Sequence, residues 1–312
     1  MKILITGGAG YLGTMLTEML FNRFRNIEIT AIDNFYHSNQ LAVLPFLTNQ
    51  RYTFVKADLL DENNYKTFKE FDVVFHLAAL VGFPICEDHK LYAKNINLES
   101  VKNVIKNIRP DCLLIYPTTN SGYGSTSGDT VCTEDTPLNP ISLYGVTKKQ
   151  AEEYIKENHA NSIRLRLATV FGCSYRLRND LLVNSFVWKA FKDKYNIIYD
   201  GKAKRNYIHV RDVCDALMFS MMNRERMVGD VFNVGNDSLN MDKLSLANKI
   251  NEYLPHKIVE GEVGVDPDKR NYIVSSQKIY NLGFSCNYSL EYGIKELIKV
   301  FKVIDMPIFG NY

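Results

Sequence analysis

Thr119, Tyr144 and Lys148 have the types and spacing for moving a proton at an alcohol. Tyr144 and Lys148 stand four apart, and residues four apart on a helix share a face, so phenol and ammonium point the same way. A free tyrosine has a pKa of about 10, so service as a base near neutrality needs a shift of roughly 3 units, or about 4 kcal/mol. A nearby cation favours the phenolate, which is the direction required. Thr119 could hydrogen-bond the same reacting oxygen. The spacing alone says little, because Tyr52/Lys56, Tyr65/Lys69 and Tyr253/Lys257 repeat it. Position singles out Tyr144. It opens a helix after the fifth apolar run and the hydroxyl- and glycine-rich stretch Pro117-Thr118-Thr119-Asn120-Ser121-Gly122-Tyr123-Gly124.

The N-terminal segment supplies a partner for such chemistry. The apolar run Lys2-Ile3-Leu4-Ile5-Thr6 leads directly into Gly7-Gly8-Ala9-Gly10-Tyr11-Leu12-Gly13. A buried parallel strand, a tight turn and a helix start require that order. Glycine lets the backbone approach a pyrophosphate, and the helix start offers unpaired N–H groups to its charge. Leu12, Met15, Leu16, Met19 and Leu20 then follow at helical spacing. A second strand, 27–32, ends in Asp33, an acid placed to accept both ribose hydroxyls of an adenosine and to repel a 2′-phosphate. The cofactor implied is NAD in preference to NADP. Its positive nicotinamide ring would also favour the Tyr144 phenolate.

Further apolar runs at 53–57, 73–77, 112–116 and 163–168 alternate with helical segments, chiefly 91–108 and 143–158. Such alternation predicts an α/β fold, a doubly wound parallel sheet of Rossmann type with right-handed crossovers. After about residue 170 the rhythm breaks down, and only Val231-Phe232-Asn233-Val234 still reads as a buried strand. The division expected is a NAD-binding unit over 1–170 and a smaller, partly interleaved substrate unit over 171–312, with 231–235 returning to the sheet. Ligands of open α/β sheets bind at the C-terminal ends of the strands.

Composition narrows the function classes. The chain of 312 residues is 46% apolar and carries a net charge of +2 with acids and bases interspersed, which gives no electrostatic reason to expect nucleic acid or a membrane surface. The six cysteines include no C-x-x-C pair, so neither a structural metal nor a disulfide framework is expected. With the first strand starting at residue 2 and no apolar stretch of membrane-spanning length, a cytoplasmic location is expected. The high Asn, Lys, Ile and Tyr content fits an AT-rich bacterial gene.

Taken together, these motifs resemble the extended short-chain dehydrogenase/reductases, in the group of NAD-dependent sugar-nucleotide epimerases and dehydratases. The resemblance runs nearly the whole length, through Asp58-Leu59, His76-Leu77-Ala78-Ala79, Asn97, Thr118-Thr119, Tyr123-Gly124, Tyr144-x-x-x-Lys148, Arg205-x-x-Ile208-His209-Val210-x-Asp212 and Phe232-Asn233-Val234-Gly235. It implies a cofactor site of Gly7, Gly10, Tyr11, Leu12, Gly13, Asp33, Asn34, Asp58, Leu59, Leu77, Ala78, Ala79, Asn97, Tyr144 and Lys148. Asp58 and Leu59 would hold the adenine, and Lys148 would bind the nicotinamide ribose as well as tune Tyr144. Arg205 and Arg270 would grip a substrate diphosphate with Asn184 near, and Asn120 would also belong to the substrate site. The resemblance also implies a homodimer through the helices 91–108 and 143–158.

Departures from the family bear on the reaction. Dehydratases of the group follow the catalytic threonine with Asp and Glu, whereas this chain has Asn120 and Ser121, which disfavours 4,6-dehydration. Epimerases acting at C3 and C5 commonly place a cysteine there. Cys86 can be read either as facing the substrate or as a small buried hydrophobe. Thr169 replaces a common asparagine, and Arg176 and Arg178 follow it closely. The function expected is oxidation at C4 of a UDP- or GDP-linked hexose or heptose for bacterial surface polysaccharide. Epimerase and dehydrogenase outcomes both stay open, as does 4-keto reduction. A non-catalytic dinucleotide sensor is the rival reading, and retention of Thr119, Tyr144 and Lys148 argues against it.

Overall fold

In a computed structural model, residues 1–126, 130–261 and 270–304 are described. The run 266–269 that precedes Arg270 lies outside them. Alternation along each strand decides the architecture. Ile3 and Ile5 enter one core while Leu4 enters another; Leu113 and Ile115 likewise part from Leu114 and Tyr116. Both faces are therefore covered, which is why these strands read as continuous apolar runs.

The strands form a seven-stranded sheet in the order Val231–Val234, Ser162–Leu167, Leu113–Thr119, Val73–His76, Lys2–Thr6, Glu28–Asp33, Tyr52–Lys56. Every pairing is parallel. From the first strand the chain winds outward to Tyr52–Lys56, then returns to build the other half from Val73–His76. The order reverses there, and a crevice opens at the C-terminal ends of Thr6 and His76, which are paired in register. The helices Tyr11–Arg23 and Val210–Met222 cover one face, and Ser100–Asn107 and Leu143–Asn158 cover the other.

Leu143–Asn158 matches the expected helix, and Ser142 caps it by accepting the Gly145 N–H at 3.2 Å. The expected helix at 91–108 is instead Lys90–Lys94, a π-helical turn Asn95–Glu99, and Ser100–Asn107. That wider turn carries Asn97 inward, where its carboxamide accepts from the Leu80 N–H at 2.8 Å and donates to the Leu80 carbonyl at 3.1 Å.

Beyond residue 170 the chain holds more strand than its pattern suggests. Lys204–His209 is buried at five of six positions and pairs with Thr169–Phe171 and Asn236–Asp242. Its inward residues include Arg205, Asn206 and His209, so polarity hides the strand. A separate apolar cluster around Phe171, Val187, Tyr207, Leu246 and Ile294 supports this region. Among the described residues, no helix is long and apolar enough to cross a membrane.

Candidate active site

A cavity of about 740 Å³ opens at the reversal of strand order and extends under the C-terminal region. Its floor is the turn after the first strand. Gly7 has φ +69°, and a Cβ there would lie 2.8 Å from the Ala78 nitrogen. A Cβ on Gly13 would lie 2.3 Å from the Gly7 carbonyl oxygen. Glycine thus holds strand, turn and helix in close contact. Among the described residues no side chain caps the helix Tyr11–Arg23 at Gly10, and its first turn holds no acid, which leaves first-turn N–H groups for an anionic ligand in the adjoining cavity. This cradle fits a dinucleotide diphosphate.

Asp33 lies on the same wall. Its two oxygens accept the N–H groups of Ala9 at 3.1 Å and Phe35 at 2.8 Å. A carboxylate has about four acceptor sites, so capacity for two ribose hydroxyls is left. Burial raises its pKa, and the two backbone N–H groups and Arg176 oppose the rise. Asp33→Ala is expected to weaken NAD binding much more than NADP binding in a side-by-side titration. Equal losses would remove the discriminating role and leave Asp33 as a loop anchor.

Thr119, Tyr144 and Lys148 converge on the middle of the cavity, from the end of the strand Leu113–Thr119 and the first two turns of the helix Leu143–Asn158. The Thr119 hydroxyl donates to Ser121 Oγ at 2.9 Å and accepts the Ser121 N–H at 3.1 Å. The Tyr144 ring opens to the cavity with its phenol set deep. Burial pushes that phenol up to about 12, Cys86 adds to the rise, and Arg270, Arg178 and a hydrogen bond with Thr119 work against it. This is opposite to the depression expected from the sequence. The main reason is burial, and the Lys148 ammonium does not offset it, because it donates to the Tyr116 hydroxyl at 2.7 Å. Burial pushes the ammonium down to about 7.

Arg205 and Arg270 reach the same cavity from the C-terminal half. Arg270 donates to Ser121 Oγ, which ties the expected substrate arginine to the threonine loop. Arg205 stacks over Tyr272 at 5.7 Å. Gly7, Gly10, Tyr11, Leu12, Gly13, Asn34, Leu59, Leu77, Ala78 and Ala79 all line the wall.

Four expected contacts stand behind it. Asp58 accepts from Asn34 at 3.0 Å and from the Leu60 N–H at 2.9 Å. Asn97 holds Leu80, as above. Asn120 is fully buried, and among the described residues neither of its amide atoms has a partner. Asn184 spends its carboxamide on the backbone of Gly172 and Arg178, at 2.8–3.0 Å, so it shapes a loop and does not face the cavity. Cys86 is buried, and its thiol donates to the Leu80 carbonyl at 3.3 Å and is pushed up to about 12 by burial. That favours its reading as a small hydrophobe.

Sequence reasoning missed Tyr116, Tyr36, His37, Tyr272 and Lys243. Tyr116 is the partner of Lys148, and the other four line the wall. The only available signal was for Tyr272, two residues beyond Arg270.

The chain is similar to known proteins along most of its length. The model of the NAD dependent epimerase/dehydratase family matches residues 3–235. A dTDP-D-glucose 4,6-dehydratase of Dictyostelium discoideum is 30% identical over 278 residues, covering 80% of this chain and 61% of that protein. A CDP-paratose 2-epimerase of Salmonella typhi is 24% identical over 333 residues, covering 95% and 98%. The crystal structure of UDP-glucuronic acid 4-epimerase from Bacillus cereus, with UDP-glucuronic acid and NAD, superposes with a TM-score of 0.80 at 26% identity, covering 97% of this chain and 99% of that one.

Proposed function

Because the chain belongs to the NAD dependent epimerase/dehydratase family, with NAD as its cofactor, we propose that it oxidises C4 of a UDP- or GDP-linked hexose or heptose. The observation that carries this reading is the convergence of Thr119, Tyr144 and Lys148 on a cavity that also holds the glycine cradle and Asp33. NAD, when bound, supplies the ring that accepts a hydride. The Tyr144 oxygen takes the proton of the C4 hydroxyl as the hydride leaves C4, and Thr119 orients that hydroxyl. The Lys148 ammonium stabilises the Tyr144 phenolate by charge. Arg205 and Arg270 hold the substrate diphosphate, for which a planar guanidinium fork is suited. The segment Gly10–Gly13 and Asp33 hold the cofactor, and residues 171–312 form most of the substrate-binding unit.

Positions 120 and 121 support a reaction that ends at hydride transfer. Asn120 is buried behind the wall, and Ser121 is occupied by Thr119 and Arg270. Neither offers the acid and base that elimination of water requires. The sugar then either turns and is reduced on its other face, giving the C4 epimer, or leaves as the 4-keto product. Reversal of the second course is 4-keto reduction. Incubation with candidate nucleotide sugars, followed by mass spectrometry and NMR, tests this. A product lighter by two hydrogens reports oxidation, and unchanged mass with an altered C4 proton coupling reports epimerisation. Loss of water, or no product from any UDP- or GDP-sugar, would contradict the proposal.

Tyr116 acts through Lys148 as a positioning residue. Tyr116→Phe removes a hydrogen bond that favours the charged ammonium, so the Lys148 pKa falls further. Turnover should drop about tenfold, nucleotide KM should hold, and the alkaline limb of the kcat profile should move to lower pH. An unmoved limb would reduce Tyr116 to packing.

The proposed setting is a cytoplasmic homodimer serving surface-polysaccharide synthesis. Leu91, 74% exposed on the helical segment expected to pair, supports the dimer. A monomer mass by light scattering would remove that part.

A further inference from the structure

Tyr144, Lys148 and Glu152 stand at successive four-residue steps on the helix Leu143–Asn158 and so share one face. Glu152 is only 6% exposed, and the equally buried Arg166 meets its carboxylate from the sheet. Arg166 Nε donates to both carboxylate oxygens, at 3.1 and 3.2 Å, and Nη2 donates to Oε1 at 2.6 Å. The other arm of the guanidinium turns to the loop that follows Thr119. There Nη1 donates to the Tyr123 hydroxyl and to the Glu134 carbonyl, both at 3.0 Å. Arg166 is also the register partner of Thr118 in the sheet. One guanidinium thus joins the helix of Tyr144 to the loop of Thr119.

The ties continue into the C-terminal half. The Tyr123 hydroxyl donates to Asn233 Oδ1 at 2.7 Å. Asn233 Nδ2 donates to the Ser275 carbonyl at 3.0 Å, and its backbone N–H donates to Glu134 Oε1 at 2.7 Å. Tyr272 sets its ring edge-on to Tyr123, with centroids 6.5 Å apart, in a small buried cluster with Cys132 and Val274. Tyr272 and Ser275 flank the short strand Ile273–Val274. The segment that brings Arg270 to Ser121 is therefore docked on Tyr123 as well.

Stability is a weak reason for such a buried ion pair. Its desolvation roughly cancels its attraction, and apolar residues of similar volume often hold a fold as well. Apolar contact is non-directional, whereas a two-pronged charge-assisted pair fixes distance and angle. Direction matters here, because Thr119 and Tyr144 must reach one oxygen from two different elements. A misplacement of about 1 Å can lower a rate about a hundredfold. We propose that Arg166 is a positioning residue: held by Glu152 and Tyr123, it sets the helix of Tyr144 and the loop of Thr119 at the spacing that proton transfer needs. Arg166, Glu152 and Tyr123 stand behind the cavity wall, so Arg166 acts through its partners. The inference rests on oxidation at C4 as the reaction.

The test removes the pair without leaving a charge unpaired. Glu152→Leu combined with Arg166→Met should keep bound NAD and a Tm close to the parent's. Its kcat per bound NAD should fall about a hundredfold. KM should hold, because Tyr123 and Asn233 still dock the Arg270 segment. Arg166→Lys keeps a charge against Glu152 but loses the fork that also reaches Tyr123, and kcat should fall about tenfold. UDP-glucose, UDP-glucuronic acid and GDP-mannose serve as probes, at a temperature well below every Tm. A merely structural pair gives the parental kcat per bound NAD wherever the protein folds. That result in the paired variant, or a loss carried by KM alone, would overturn the proposal. Should the paired variant not fold, parental kcat in Arg166→Lys overturns it equally. Failure of the unsubstituted protein to act on any UDP- or GDP-sugar would instead overturn the C4 reading on which the inference rests.

Discussion

Tyr144→Phe lowers turnover about a thousandfold while the protein stays folded and keeps its NAD. The substitution removes one oxygen from a ring that opens to the cavity. Helix Leu143–Asn158 keeps its cap, because Ser142 and not Tyr144 accepts the Gly145 N–H. What disappears is the atom placed to take the C4 hydroxyl proton. Burial holds that phenol up to about 12, and the Lys148 ammonium donates to the Tyr116 hydroxyl. A positive nicotinamide ring beside the phenol favours the phenolate, so the phenol pKa should be lower in the NAD-loaded enzyme than in the cofactor-free one. A spectroscopic titration of tyrosinate, compared between the parent protein and the Tyr144→Phe variant, checks this. Full turnover in the variant would end the assignment of Tyr144 as base.

Gly13→Val weakens cofactor binding about tenfold or more. A Cβ at this position would lie 2.3 Å from the Gly7 carbonyl oxygen and 2.8 Å from Gly8 Cα, both backbone atoms. No rotamer relieves that contact, so the turn and the helix start must separate. Overpacking of this kind costs about 1–3 kcal/mol, and here it falls on the surface that must meet the diphosphate. NAD retained through purification should drop about tenfold or more. Gly10→Ala is the graded control: its Cβ meets Gly7 O at 3.0 Å, a contact that a small shift accommodates. The measurement is moles of NAD released per mole of denatured protein. Equal retention in the valine variant and the parent would show that close packing at Gly13 does not shape the site.

The parts of the fold that could be read in advance are those where both faces of a strand are apolar. Ile3–Ile5, Val73–Phe75 and Leu113–Tyr116 announce themselves, and Val231–Val234 does so even after the alternation ends. Lys204–His209 was hidden because its buried positions include Arg205, Asn206 and His209; Asn206 donates to the Asn236 carbonyl and His209 meets Glu296, tertiary partners that no local pattern reports. Residues 91–108 gave the helix but not its π-helical turn, since one extra residue in a turn leaves the apolar spacing almost unchanged.

The site shows the same division. Thr119, Tyr144, Lys148 and the glycines were legible because motif and element coincide. Asn184 was legible as a residue and not as a role: its carboxamide is spent on Gly172 and Arg178, a use that depends on a loop folding back from twelve residues away. Tyr116 was silent because a tyrosine in a buried strand looks like packing until Lys148 is found against its hydroxyl.

The central claim is that a hydride leaves C4 of a nucleotide sugar for the bound cofactor. Enzyme loaded with NAD is mixed in a single turnover with a UDP- or GDP-sugar deuterated at C4, then denatured, and the released cofactor is weighed by mass spectrometry. Reduced cofactor carrying the deuterium is the expected result, with Tyr144→Phe showing none on the same timescale. Reduced cofactor without deuterium, or a turned-over sugar that never passes its C4 label to the cofactor, would contradict it.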